Sequence, residues 1–84
     1  MKKSSSTIQV IIREVKGILW EGQAKSFTST NEVGVFDVLP EHTQYVGSIK
    51  EFITVQSAGQ EKKWKIETGI MSVVKDKIEV FLGY

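Results

Sequence analysis

Hydrophobic and polar positions alternate along most of this chain. Ile8, Val10 and Ile12 alternate with Gln9 and Arg13, with Ile11 out of step, and predict a first strand. Val15, Lys16 and Gly17 make a turn, with Gly17 suited to a left-handed conformation. Residues 18–27 return as a second strand, in which Gly22 marks a bulge or bend. Residues 28–34 are polar and read as a loop. Residues 35–39 form a short apolar strand that Pro40 stops. A loop over 41–44 leads to a short strand or turn at 45–47. Residues 50–56 and 62–68 flank a turn at 57–60, and 70–75 and 77–82 flank a turn at Asp76. No window of ten or more residues holds a 3.6-residue apolar period. The pattern predicts about ten short strands and no helix, an all-β sandwich or barrel.

Composition reinforces that reading. Val, Ile and Thr supply 25 of the 84 residues, Ala and Leu only 5. Branched side chains are stiff at χ1 and pack well on a pleated surface. The length admits one domain, with residues 1–7 a flexible polar N-terminus and 8–84 the sandwich. That N-terminus lacks the apolar stretch of a secretory signal, and no apolar run is long enough to span a bilayer, so a soluble cytoplasmic protein is expected.

The chemistry available is sparse. There is no cysteine, which removes disulfides, a thiolate nucleophile and a thiolate zinc site. With 11 basic and 10 acidic residues the net charge is +1, too small a field to draw in nucleic acid or an anionic membrane. His42 is the sole imidazole, with Asp37 and Glu41 nearby in sequence. A catalytic triad would also need a nucleophile on a strained turn, and none is visible. The duller role for such a histidine is to cap a loop or meet a partner. Lys62, Lys63, Trp64 and Lys65 interleave base and aromatic, as a nucleic-acid platform would. Strand parity instead puts Trp64 and Ile66 on the core face and Lys63, Lys65 and Glu67 on the solvent face. The scattered glycines form no phosphate-binding string. Catalytic, metal and cofactor sites are therefore expected to be absent. Ile11, Phe52, Val74 and Phe81 are surplus hydrophobes on the polar side of their strands. They are either core shifted by bulges or an outer face that docks on another protein.

One segment carries a family resemblance. Gly34-Val35-Phe36-Asp37-Val38-Leu39-Pro40-Glu41-His42 resembles the hallmark segment of the ATP synthase epsilon subunit, with its aliphatic residue, Leu or Tyr, Pro, Gly and His. Ile18-Leu19-Trp20-Glu21-Gly22 is similar to the second strand of that family. Gly69-Ile70-Met71-Ser72-Val73 and Lys77-Ile78-Glu79-Val80-Phe81 resemble its last hairpin. In order and spacing the likeness runs from about Ile8 to Leu82.

The resemblance implies the N-terminal β-sandwich of epsilon. That domain is a non-catalytic rotor component at the foot of the central stalk, at the cytoplasmic face of the bacterial inner membrane within the F1 sector. It implies two partners, the gamma subunit and the c-ring, with neither nucleic acid nor direct membrane insertion. By the same resemblance Pro40, His42 and Thr43 face gamma, while Asn31, Glu32, Val33, Gly34, Val35 and Phe36 form the turn toward the c-ring. The sequence departs from the family in three places. Val35 stands where an acidic residue is common, with Glu32 a possible substitute, and Asp37 and Glu41 replace glycines. The helical hairpin that follows the sandwich in many epsilon chains has no counterpart before Tyr84, so neither inhibition by an inserted helix nor ATP binding is expected. The competing reading is a small nucleic-acid- or glycan-binding β-module, which requires an exposed Trp20 or Trp64 or a groove of aromatics.

Overall fold

A computed structural model describes residues 7–40 and 44–83. Seven strands follow in order: β1 (Ile8–Glu14), β2 (Gly17–Ala24), β3 (Ser26–Thr30), β4 (Val35–Val38), β5 (Tyr45–Ser57), β6 (Gln60–Val74) and β7 (Lys77–Leu82). They form one continuous sheet in the order β2-β1-β7-β6-β5-β3-β4. All neighbours are antiparallel except β1 and β7, which run parallel with Gln9 opposite Lys77 and Arg13 opposite Phe81.

The all-β class agrees with the hydrophobic pattern, but the strand count is lower than the expected ten. Segments 45–47 and 50–56 are one strand, β5, and 62–68 and 70–75 are joined in β6. The apparent breaks come from the bend that makes a sandwich out of one sheet. The β5–β6 register slips between Lys50 and Glu51, so Lys50 faces Thr68 while Glu51 faces Ile66. Glu51 takes φ = +77°, a left-handed conformation normally left to glycine. On the other side of β5, Thr30 faces Lys50 but Ser29 faces Ile53, so Glu51 and Phe52 have no opposite residue on β3. The Ser29 hydroxyl donates to the Phe52 carbonyl at 2.7 Å and satisfies the acceptor that the slip leaves over.

Beyond this bend the two halves of the long ribbon belong to different layers. Residues 45–50 and 69–74 continue the layer of β7, β1 and β2. Residues 51–57 and 60–66 continue the layer of β3 and β4. One core fills the space between. It joins Ile8, Val10, Ile12, Ile49, Met71, Val73, Ile78 and Val80 of the first layer to Phe27, Val38, Ile53 and Val55 of the second. Their period-2 spacing is the alternation read in the sequence.

Two smaller expectations also shift. The second predicted strand breaks at Lys25, whose N–H donates to the Gln56 carbonyl at 2.6 Å, so 26–30 becomes β3 and not part of a loop. The bulge expected at Gly22 lies instead where Ile12 faces Trp20 and Arg13 faces Ile18, leaving Leu19 as the extra residue.

Glu51→Gly removes the penalty for a side chain at positive φ and is expected to raise stability by up to about 1 kcal/mol. Ser29→Ala strands the Phe52 carbonyl and is expected to lower stability by about 1–2 kcal/mol. Urea unfolding of both variants checks the pair; an unchanged or opposite order of midpoints would mean that the bend is not under this control.

Candidate partner-binding surfaces

The sandwich has two lateral seams, and an aromatic pair closes each. On one side β2 of the first layer meets residues 60–66 of the second, and the Trp20 and Trp64 rings lie 5.8 Å apart at 53°. On the other side residues 45–49 meet β4, and the Phe36 and Tyr45 rings lie 5.6 Å apart at 45°. All four rings are half-buried against the core. Each first-layer aromatic lies over a glycine two residues on in its own strand. A Cβ on Gly22 would stand 2.9 Å from the Trp20 ring, and one on Gly47 would stand 2.5 Å from the Tyr45 hydroxyl. Aromatic, any residue, glycine is thus a two-part device: the glycine clears the space and the ring bridges the layers. The sequence holds this spacing three times, at 20–22, 45–47 and 81–83; the first two seat the seam rings, and sequence reasoning did not connect them.

Trp64 therefore faces inward, as strand parity predicts, while Lys63 and Lys65 are exposed. A groove of 490 Å³ lies beside them, lined by Glu51, Phe52, Lys63, Trp64 and Lys65. The Lys63 ammonium sits over the Phe52 ring at 5.3 Å, and the Arg13 guanidinium sits over Phe81 at 5.9 Å while also meeting Glu79 at 3.4 Å. These half-exposed contacts shield two of the four surplus hydrophobes and add little stability. Ile11 keeps its outward parity yet is only 6% exposed, between its cross-strand neighbours Glu21 and Glu79. Val74 is open at 48%. The surplus is therefore not core shifted by bulges: it belongs to the outer face, part shielded and part open.

The turn between β3 and β4 is built by Asn31. Its side-chain carbonyl accepts from the N–H groups of Val33 at 2.8 Å and Gly34 at 3.2 Å, and its backbone N–H donates to the Gly34 carbonyl. Its amide nitrogen donates to the Tyr45 hydroxyl at 3.3 Å, tying the turn to the seam. Gly34 has φ = +145° and lets the chain re-enter β4. The turn thrusts Val33 into solvent, 96% exposed, with Glu32 and Val35 also exposed, whereas Phe36 points inward to Tyr45. Asp37 accepts from the Thr28 hydroxyl at 2.5 Å, so its side chain is accommodated on the outer face of the β3–β4 pair. Pro40 is half-buried after the exposed Leu39. Glu41, His42 and Thr43 lie outside the described residues. Among the described residues no three acidic or imidazole side chains gather where they could hold a metal ion.

A family model for the ATP synthase delta/epsilon chain β-sandwich domain matches residues 7–82. The chain belongs to the ATP synthase delta/epsilon β-sandwich family. Within this family, the ATP synthase epsilon chain of Corynebacterium glutamicum is 31% identical over 80 residues, and that of Corynebacterium efficiens is 30% identical over 80. Both alignments cover 92% of this chain, which spans 64% of the length of each relative. The fold also matches solved structures. A chain in the Euglena gracilis mitochondrial ATP synthase, in a structure of OSCP, F1 and c-ring, superposes with a TM-score of 0.86 at 17% identity, over 99% of this chain and 54% of that one. A chain in the central stalk and c-ring structure of Tetrahymena thermophila mitochondrial ATP synthase gives 0.76 at 9% identity, over 96% and 66%. The segments that carry the epsilon resemblance fall at structurally demanding places: Trp20 and Gly22 at one seam, Phe36 at the other, and Gly69 where a Cβ would approach the Phe81 carbonyl to 3.1 Å.

Gly47→Ala pushes the Tyr45 ring off its seat and away from both Phe36 and Asn31. It is expected to destabilise by about 1–3 kcal/mol, while the exposed Ser48→Ala changes stability by less than about 0.5 kcal/mol. Thermal unfolding of the two variants measures the contrast, and equal midpoints would rule out a structural role for the glycine.

Proposed function

We propose that this chain is a non-catalytic central-stalk component of a rotary F-type ATP synthase, holding the gamma subunit, touching the c-ring and coupling ion translocation to ATP synthesis elsewhere in the complex. The observation that carries this reading is the family match over residues 7–82, which takes in every strand of the sandwich. Among the matching structures, one is of a central stalk and c-ring, and another is of OSCP, F1 and the c-ring. A rotor element needs stiffness and adhesion more than reactivity. A sheet that runs unbroken through both layers, with an aromatic pair at each seam, supplies the stiffness.

Two surfaces serve the adhesion. The turn at Asn31–Gly34 meets the c-ring through Glu32, Val33 and Val35, the exposed members of its segment. The segment of Pro40, His42 and Thr43 meets gamma. Val35 in place of the family's common acidic residue makes the ring contact more apolar and leaves Glu32 as its charged group. The chain works as a peripheral subunit at the cytoplasmic face of a bacterial inner membrane. Among the described residues no helix is long and apolar enough to cross a membrane.

Immobilised chain is expected to capture its own organism's purified gamma subunit at one to one, and His42→Ala to weaken capture. Failure of the folded wild-type chain to capture gamma at micromolar concentration would refute the stalk role. In the assembled complex, Val33→Asp is expected to reduce ATP-driven ion pumping while leaving capture of isolated gamma intact; full pumping by that variant would remove the turn from the ring contact.

A further inference from the structure

The bent sheet leaves four strand edges without a paired neighbour among the described residues, and three of them carry devices that discourage strand addition. The edge at β2 has the bulge at Leu19, the charged Glu21 and flanking Lys16 and Lys25. The edge at 60–66 presents Glu61, Lys62, Lys63 and Lys65. The edge at β4 is four residues long, includes Asp37 and is followed closely by Pro40. Charge, bulges, proline and shortness are the usual ways to keep an edge from pairing with another chain.

The fourth edge carries no charge, bulge or proline within it, and only Lys50 flanks it. Residues 45–49 read Tyr-Val-Gly-Ser-Ile, with no charge, no proline and no internal register shift, the slip coming only after Lys50. They pair with 69–73 of β6 on one side, and β3 reaches β5 only from Lys50 onward. Val46 is 72% exposed at this edge. The adjoining outer surface is also uncharged as far as Lys50: Val46 lies beside Ser72, and Ser48 beside Ile70, with Val74 next along β6. On the same face, β1 and β7 carry Arg13, Lys77 and Glu79, so the neutral zone is confined to the strip next to the open edge.

We propose that residues 45–49 accept an extended, uncharged segment of the gamma subunit as an added strand, so that the first layer of the sandwich continues into its partner. The proposal rests on the stalk reading above and specifies its binding mode. A five-residue edge whose outward backbone groups have no strand beside them among the described residues calls for one, whose own backbone groups satisfy those of the edge. The occupant is uncharged because the side chains it would lie beside, Val46, Ser48 and Ser72, are neutral, and Lys50 supplies a charge only at the far end of the strip. Tyr45, held on the inner side by Asn31 and Phe36, fixes the start of the edge before the partner arrives.

Amide hydrogen exchange of the chain, alone and bound to purified gamma, tests this together with Val46→Lys and the control Val15→Lys, both at exposed positions. Exchange over 45–49 is expected to slow at least tenfold on binding. Val46→Lys is expected to weaken capture at least tenfold, and Val15→Lys to leave it unchanged. If gamma binds while exchange over 45–49 is unaltered and Val46→Lys binds normally, strand addition is wrong and the stalk reading stands. If the folded wild-type chain does not bind gamma, the stalk reading fails and takes the added strand with it.

Discussion

The bend in the β5–β6 ribbon is the constraint on which the rest of the molecule depends. Those two strands are the longest in the chain, and each belongs to both layers. Without the slip at Lys50 and Glu51 they would continue as a flat ribbon, and the two halves of the core would never face each other. The slip costs a left-handed residue and an unmatched stretch against β3. The first is tolerated because cross-strand pairing from Tyr45 to Ser57 holds the ribbon in place around it, and the second because Ser29 supplies a hydroxyl at the right point. The seams are consequences of the same bend. Once the layers are folded over, their lateral openings must be closed, and Trp20 with Trp64 and Tyr45 with Phe36 close them.

Much of this was legible in the sequence, because period-2 alternation is a direct consequence of the pleat. The core faces of β1, β6 and β7 follow from residues such as Ile8, Val10, Ile12, Ile78 and Val80. The turns at Gly17, Ala58–Gly59 and Asp76 follow from turn chemistry. What the pattern did not convey was continuity. Gly47, Ser48 and Thr68–Gly69 look like interruptions, yet hydrogen bonding across the ribbon carries the strands through them. The break at Lys25 is the reverse case: β-propensity favours running on, and the crossing from β2 into β3 is imposed by which layer each strand joins.

The candidate surfaces divide in the same way. Strand parity put Trp64 inside and the lysines outside. Family likeness pointed to the turn at 31–36, and the geometry separates its exposed members from Phe36, which works inward. The open edge at 45–49 had no signal of its own in the sequence. An uncharged run becomes conspicuous only when its position at a sheet margin is known and the other margins can be compared with it. In the proposed stalk role two requirements meet in one strand: β5 bends to create the rigid body and begins in the margin left free for contact.

The parallel pairing of β1 with β7 has a consequence for how the chain acquires its structure during synthesis. Residues 8–14 leave the ribosome early, yet their place in the sheet lies between β2 and a strand that begins only at Lys77. The β1–β2 hairpin can form at once, but its apolar face, Ile8, Val10 and Ile12, waits for Ile78 and Val80 to be translated. The first layer therefore cannot close vectorially, from one end to the other. Until residues 77–82 emerge, the nascent chain displays an unfinished hydrophobic sheet, which makes the interval between synthesis of β1 and synthesis of β7 the period in which a chaperone has the most to protect.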